Sequence, residues 1–386
     1  MKSGWVTKKL GEVCDSFNGI WKGTQPPLKN VGVIRATNFT KQCEFDPSRT
    51  VFIDVEEKKF NKRKLEFGDI IVERSGGGPG QPVGRVIFFN LQAGDYTISN
   101  FTSALRVKDK TLLDPYYLHR ALVAKYFSGA TEKMQSNSIH IINLNYSAYL
   151  ELEIPIPPLA EQKRIVAKID AAFEKIDALK ANAEKNLANA KELFQSALDE
   201  AMRPKPGWVE KRLGEVCEIL DSQRIPITKK DRKPGKIPYY GATKQVDSVS
   251  DYIFDERLLL LGEDGADWSA GANSAYIIEG KSWVNNHAHV LRPIAGVVND
   301  VWLMFYLNAT DLTKWVSGTT VPKLNQKNMC EIPVPIPPIN EQEILAKRIE
   351  LFSSKLETLQ QNYSQQISGC AEMRQAILRE AFEGRL

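Results

Sequence analysis

Residues 73–85, Glu73-Arg74-Ser75-Gly76-Gly77-Gly78-Pro79-Gly80-Gln81-Pro82-Val83-Gly84-Arg85, set five glycines between two arginines. Glycine permits the positive φ and close backbone approach that a tight loop against another chain requires. A guanidinium can grip phosphate or take guanine O6 and N7 bidentately. Arg74, Ser75, Gly76, Gly77, Gln81 and Arg85 are therefore candidate DNA contacts, with a solvated loop as the plain alternative. A second stretch, Gly262-Glu263-Asp264-Gly265-Ala266-Asp267-Trp268-Ser269-Ala270-Gly271, follows the apolar run Leu258–Leu261 as the first follows Asp69–Val72. Tyr239-Tyr240-Gly241-Ala242-Thr243-Lys244 adds aromatics and a lysine, so Tyr240, Lys244, Asp264, Trp268 and Ser269 join the candidates. His287 and His289 would share one face of a strand. With no Cys or carboxylate close by in sequence, a structural pair or a base-contacting His287 fits them better than a metal site. His119 and His140 show no such spacing.

No catalytic centre stands out. The chain has no GxxxxGK[ST], no HExxH and no Gly-x-Ser-x-Gly elbow. It also lacks an Asp/Asn-Pro-Pro-Tyr motif and a Gly-rich cofactor loop, so any methyl group transferred is expected to be transferred by a partner. Five scattered cysteines without a CxxC suit a reducing cytoplasm and argue against disulfides or a zinc site. No apolar run approaches the ~18–20 residues needed to cross a bilayer, and residues 1–5 lack the apolar stretch of a signal peptide. The net charge is only +4, but residues 1–150 carry 21 Lys and Arg against 14 Asp and Glu. That surplus fits a phosphate-facing surface, as it would a lysine-rich solvated one.

The elements that must position these loops are written twice. Gly4-Trp5-Val6-Thr7-Lys8-Lys9-Leu10-Gly11-Glu12-Val13-Cys14 recurs as Gly207-Trp208-Val209-Glu210-Lys211-Arg212-Leu213-Gly214-Glu215-Val216-Cys217. Ile154-Pro155-Ile156-Pro157-Pro158-Leu159-Ala160-Glu161-Gln162 recurs as Val334-Pro335-Ile336-Pro337-Pro338-Ile339-Asn340-Glu341-Gln342. The ends of the halves are shared and the interiors differ, the pattern of one chassis carrying two recognition surfaces. Short β-type runs with Gly-rich turns, and helical patterns from Asp114-Pro115 and from Asp300 to Trp315, predict a mixed α and β domain in each half. Each Pro-rich motif reads as a strand end and helix start. Long helices then run from Glu161 to Met202 and from Glu341 to Phe382, each spanning on the order of 60 Å at ~1.5 Å per residue. Apolar or small residues at spacings of three and four give a heptad seam: Ile169, Ile176, Leu179 and Leu193 in one helix, Ile349, Leu356, Leu359 and Ile377 in the other. The expected segments are 1–153, 154–203, 204–333 and 334–386.

The repeated Gly-Trp…Leu-Gly-Glu-Val start, the duplicated Pro-Pro-x-x-Glu-Gln motif and the ending Ala381-Phe382-Glu383-Gly384-Arg385-Leu386 closely resemble the specificity subunits of type I restriction-modification enzymes. The resemblance covers the whole chain. It implies an α+β fold with two mixed α/β target-recognition domains joined by two long helices forming an antiparallel coiled coil, a pseudo-two-fold internal repeat. It implies that each domain reads half of a bipartite, asymmetric double-stranded DNA site, and that the helices fix the spacing and dock two methyltransferase subunits. Those partners would bind S-adenosylmethionine and methylate adenine, and restriction/translocase subunits would join them in a cytoplasmic phage-defence complex. The chain itself would hold no cofactor or metal. Arg74–Arg85 resembles a recurring recognition-loop type, and Val284–Leu291 a segment common in another class of these domains. The alternative is a DNA-binding scaffold of another phage-defence system, and the missing motifs disfavour a stand-alone enzyme.

Overall fold

A computed structural model describes residues 5–78, 80–138, 141–318 and 320–386, so His140 and Pro79 lie outside the described residues. The chain divides into two compact units, Met1–Ala183 with Gln365–Leu386, and Glu184–Ser364. The four segments expected from sequence are thus shared between two units, each taking part of both long helices. The reason is burial: Ile165, Ile169 and Phe173 of the first long helix belong to the same core as Leu10, Tyr117 and Leu122.

Both units repeat one plan. In the first, a four-stranded antiparallel sheet runs in the order Cys14–Asn18, Thr102–Val107, Ile70–Glu73, Val86–Phe88. In the second, the order is Cys217–Ile219, Ala288–Pro293, Leu258–Gly262, Ala275–Ile278. Strand side chains alternate between faces, and here both faces are covered. Ile70, Val72 and Leu105 share a core with the helix Pro115–Phe127, while Ile71, Ile87 and Ala104 pack against Ile34, Phe39 and Ile98. Leu259 and Leu261 likewise face the helix Asp300–Ala309, and Leu258 and Leu260 face Val284 and Phe254. Burial on both faces is why Leu258–Leu261 reads as unbroken apolar sequence. The second face is roofed in each unit by a further sheet, three-stranded around Leu28–Ile34 in the first and four-stranded around Pro234–Tyr240 in the second, and each roof contains one parallel pairing.

The repeated motifs act as fasteners. Strand Val6–Lys9 pairs with Glu153–Ile156, and Val209–Arg212 with Pro333–Ile336, so the start of each half is tied to the strand before its long helix. The glutamine of each Pro-Pro-x-x-Glu-Gln motif is fully buried. Gln162 donates to the Leu112 and Pro157 carbonyls (2.8 Å each) and accepts from Asp114 N at 2.8 Å. Gln342 donates to Val297 O and Pro337 O (3.1 and 2.8 Å) and accepts from Asn299 N at 2.7 Å. Asp114 and Asn299 in turn cap the helices they precede, an interaction of about 1 kcal/mol. The helix from Asp300 ends at Ala309 rather than Trp315, because Asp311 turns its carboxylate onto Thr313 N and Oγ1 and offers the backbone a local turn instead.

The long helices span Leu159–Met202 and Ile339–Phe382 and run antiparallel within each unit. In the first, Arg164 Nη2 donates to the Leu386 carbonyl at 3.0 Å and Arg374 Nη2 to Asp177 Oδ1 at 2.5 Å. In the second, Leu198 and Met202 pack with Leu345, Ala346 and Ile349. Ile169, Ile176 and Ile349 are buried, and Leu356 and Ile377 half-buried. Leu179, Leu193 and Leu359 are not seam residues, being 57%, 71% and 39% exposed. Covered positions step by four then three from Ile169, through Phe173, Ile176, Lys180, Ala183, Leu187, Ala190 and Phe194. Apolar pattern alone selects Leu179 over Lys180, but a lysine covers apolar surface with its stem and keeps its charge in water.

Candidate nucleic-acid interface

The glycine-rich loop leaves the C-terminal end of Ile70–Glu73, an inner strand of the first unit's sheet. Gly76 and Gly77 hold φ of +130° and +69°, and a Cβ on Gly77 would meet the Gln81 carbonyl at 2.9 Å. Reciprocal backbone bonds between Gly78 and Gln81 (3.1 and 3.0 Å) close the turn. Glycine is required there by geometry. Arg74 is half-buried; its guanidinium lies 4.7 Å over the Tyr146 ring and its Nη1 donates to Asn18 Oδ1 at 2.7 Å. Ser75 Oγ donates to Asn143 Oδ1 at 2.7 Å. Gln81, Gly76 and Gly77 line a cleft of about 540 Å³ with Thr37, Lys41 and Arg49.

Two candidates belong to the interior instead. Arg85 is 5% exposed and forks onto Glu73 (Nε–Oε2 2.8 Å, Nη2–Oε1 2.7 Å), with Nη1 donating to the Phe39 carbonyl at 3.1 Å. All three of its nitrogens are engaged below the loop, so the second arginine of the bracket props the loop up and does not reach outward. Trp268 is 5% exposed, packs in the second unit's core and donates Nε1–H to the Gly262 carbonyl at 2.9 Å. The loop Gly262–Gly271 is built around it.

The other second-unit candidates stay nearer solvent. Lys244 is exposed at the end of a turn in which Gly241 N donates to its carbonyl at 2.9 Å. Tyr240 is half-buried against Tyr276, with ring centroids 6.0 Å apart. Ser269 is exposed and its hydroxyl donates to Asp267 Oδ1, a local turn. His287 has a 51% exposed side chain with Nδ1 2.5 Å from Asp264 Oδ1.

His287 and His289 do not act together. His289 is fully buried, with Nε2 donating to the Leu324 carbonyl (2.7 Å) and Nδ1 at 2.5 Å from Asp221 Oδ2. Asp221, Glu263 and His289 bring their ligand atoms within 4.8 Å of one another, a spacing that could hold a cation. Arg224 and Lys323 already meet those carboxylates, at 2.5 Å and 2.8 Å from Glu263. Burial pushes the Glu263 carboxyl up, but the hydrogen bonds from Lys323 and Arg224 outweigh it and hold the group below its usual range. Burial opposes the Asp221 charge in the same way, and its bonds to His289 and Val290 N prevail. The arrangement is a charge-matched network beneath the second loop. Sequence reading missed Asp221, Arg224 and Lys323, which come from segments far apart in the chain. It missed His119 as a core group for the same reason: burial lowers this imidazole to about 3, so it is neutral against Cys43 O. No described helix is long and apolar enough to cross a membrane.

Comparison with known proteins identifies this architecture. The model of the type I restriction modification DNA specificity domain matches residues 2–189 and 205–368. The StySPI specificity subunit of Salmonella potsdam is 22% identical over 427 residues, covering 100% of this chain and 90% of that one. A Haemophilus influenzae chain assigned as specificity subunit S.HindORF215P is 31% identical over 144 residues, 37% of either chain. A solved chain from a study of complex assembly in a type I restriction-modification system, 18% identical, superposes with a TM-score of 0.79 over 100% of this chain and 99% of that one. The two matched segments, one in each half of the written-twice chain, place it in the family of type I restriction-modification DNA specificity subunits.

Proposed function

We propose that this chain reads a bipartite, asymmetric double-stranded DNA site, one half with each recognition domain, and performs no catalysis itself. The observation that carries the reading is the repetition of one four-stranded sheet with a loop at the same strand end, furnished with unrelated side chains. The helices dock two methyltransferase subunits, which bind S-adenosylmethionine, and through them restriction/translocase subunits. Exposed apolar side chains support that docking. Leu179 and Met373 border a cleft of about 590 Å³ in the first unit, and Leu359 and Leu193 one of about 360 Å³ in the second. Leu179 and Leu359 are equivalent positions 180 residues apart, as are Leu193 and Met373, so two copies of one partner would meet matching surfaces. Exposed contiguous apolar patches on a soluble surface mark interaction sites.

The test combines the full chain with a type I methyltransferase subunit from the same organism, labelled S-adenosylmethionine and a duplex library. Label should enter adenines of one bipartite sequence only when both proteins are present, and DNA affinity of the chain should fall steeply with salt. Methyl transfer by the chain alone, or labelling without sequence preference, would defeat the proposal.

A further inference from the structure

Phe101 and His287 occupy one address in the repeated domain. Each stands immediately before the strand that neighbours the loop-bearing strand, Thr102–Val107 in one unit and Ala288–Pro293 in the other. The registers agree: Glu73 pairs with Thr102, and Gly262 with Ala288. Each residue also gives its carbonyl to two successive loop N–H groups. Arg74 N and Ser75 N donate to Phe101 O at 2.9 and 3.2 Å, and Glu263 N and Asp264 N to His287 O at 2.8 and 3.5 Å. The backbone is therefore fixed at this point whatever side chain it carries, and in both units that side chain faces solvent. Phe101 is 46% exposed and the His287 side chain 51%.

What surrounds the two differs. Phe101 meets Trp21 edge to face, centroids 6.3 Å apart, and Trp21 is itself 69% exposed. Lys22 follows, exposed and, among the described residues, without an ion pair. Two large aromatics in contact, held open beside Arg74 and a lysine, offer apolar surface with cationic surroundings, the combination that suits bases flanked by phosphates. His287 is instead oriented by Asp264. With Nδ1–H donated to that carboxylate, Nε2 is the atom left to meet a base edge.

We propose that position 101/287 is a base-reading position in both recognition domains: Phe101, with Trp21 at its edge, makes an apolar contact with bases of one half-site, and His287, oriented by Asp264, makes a hydrogen-bonding contact in the other. This inference rests on the reading of the chain as a two-part DNA reader and adds residues to it. The apolar contact has two possible sources on DNA, the thymine methyl in the major groove or the face of an unstacked base.

The experiment selects duplexes from a randomised pool with the full wild-type chain, then with Phe101→Ala, Trp21→Ala and His287→Ala. Trp21 is exposed enough that its truncation leaves the fold intact, and amide exchange of the sheet confirms this for each variant. Phe101→Ala and Trp21→Ala should relax discrimination at one or two adjacent base pairs of one half-site by roughly 5- to 150-fold, the range of a single mismatched pair. His287→Ala should do so only in the other half-site. In the selected duplex, weakened wild-type binding when deoxyuridine replaces thymine identifies the methyl contact; brightening of 2-aminopurine on binding identifies the unstacked base. Either signature, absent in Phe101→Ala, supports the inference. Unchanged discrimination in both aromatic variants, equal relaxation of both half-sites, or neither signature overturns it while leaving the two-part reader intact. A wild-type chain that enriches no sequence overturns that reading, and this inference with it.

Discussion

Replacing Arg85 by alanine should cost stability and leave sequence preference untouched. The side chains of Arg85 and Glu73 are 6% and 1% exposed, and truncation removes both forks of their pair and the bond to the Phe39 carbonyl. Glu73 would remain in the interior with its counter-charge gone and a guanidinium-sized void beside it. Breaking a buried pair from one side costs about 3–5 kcal/mol, against a domain stability of about 5–15 kcal/mol. A double variant, Glu73→Leu with Arg85→Met, should recover most of that loss, since apolar replacement of a whole buried pair is often neutral. The coupling is read from the double-mutant cycle. Tryptophan fluorescence reports mainly the second unit, which holds five of the seven tryptophans. Amide hydrogen exchange of Ile70–Glu73 and Thr102–Val107 is therefore the assay, because it reports opening of the first unit's sheet directly. A bidentate guanine contact would behave otherwise, costing about 1–3 kcal/mol at one base pair with a native-like fold. Wild-type exchange protection in Arg85→Ala, combined with lost preference at one base pair, would refute the reasoning and return Arg85 to the DNA.

Three further outcomes are expected. His119 is held neutral, at about 3, in the folded chain, whereas the unfolded chain takes up this proton below about 6.5. Its folded pKa is depressed, so stability falls as pH drops below 6.5, by about 2 kcal/mol between pH 7 and 5; His119→Gln should lack this component, and equal pH slopes in urea unfolding would count against it. Ile176→Glu, at a site 5% exposed, should cost about 2–4 kcal/mol. Leu359→Glu, at 39% exposure, should stay within ~0.5 kcal/mol yet weaken methyltransferase pull-down; the reverse ranking would restore the three-then-four seam. Trp268→Ala should cost about 3–5 kcal/mol with the preferred DNA sequence unchanged, and a shift in that sequence without loss of thermal stability would make Trp268 a reader after all.

Sequence made some features legible because they are local. The Pro-rich motifs, the Asp114 cap and the 3.5-residue repeat each rest on neighbours within a turn or two. The buried glutamines were visible as a repeated letter, but their use was not, because Gln162 meets Leu112 and Asp114 from 50 and 48 residues away. The same limit explains the misplaced candidates. Arg85 and Trp268 have residue types suited to DNA, and only the fold shows that Glu73 and Gly262 claim them first. Phe101 and Trp21 carry no motif at all. They become noticeable only when exposure, contact and the carbonyl shared by Arg74 and Ser75 coincide. The seam slipped for a different reason, since a half-covered lysine at 180 is invisible to an apolar count that finds leucine at 179.

Below the loops, the two units place opposite chemistry at one address. Cys14 pairs with Val107 as Cys217 pairs with Pro293, and Ile70 with Leu105 as Leu259 with Leu291. Counting along these strands, Asn18, Arg74 and Ser103 stand where Asp221, Glu263 and His289 stand in the other unit. In the first, Arg74 is the cation and donates to Asn18 at 2.7 Å and towards Ser103 at 3.4 Å, while Ser103 donates to Asn18 at 3.0 Å. In the second, a carboxylate takes the arginine's place, and the cations come from elsewhere, as Arg224 and Lys323. Sign is reversed, yet the loop leaves the sheet identically, because its first two N–H groups are held by a main-chain carbonyl in both units. Side chains at such a root need only satisfy one another, since an unmatched buried charge is what costs several kcal/mol. The loop's course is set by backbone and its chemistry by whichever self-consistent polar set fills the address beneath. A chassis of that kind lets one half of the chain change what it presents while the other half, and the long helices, keep their geometry.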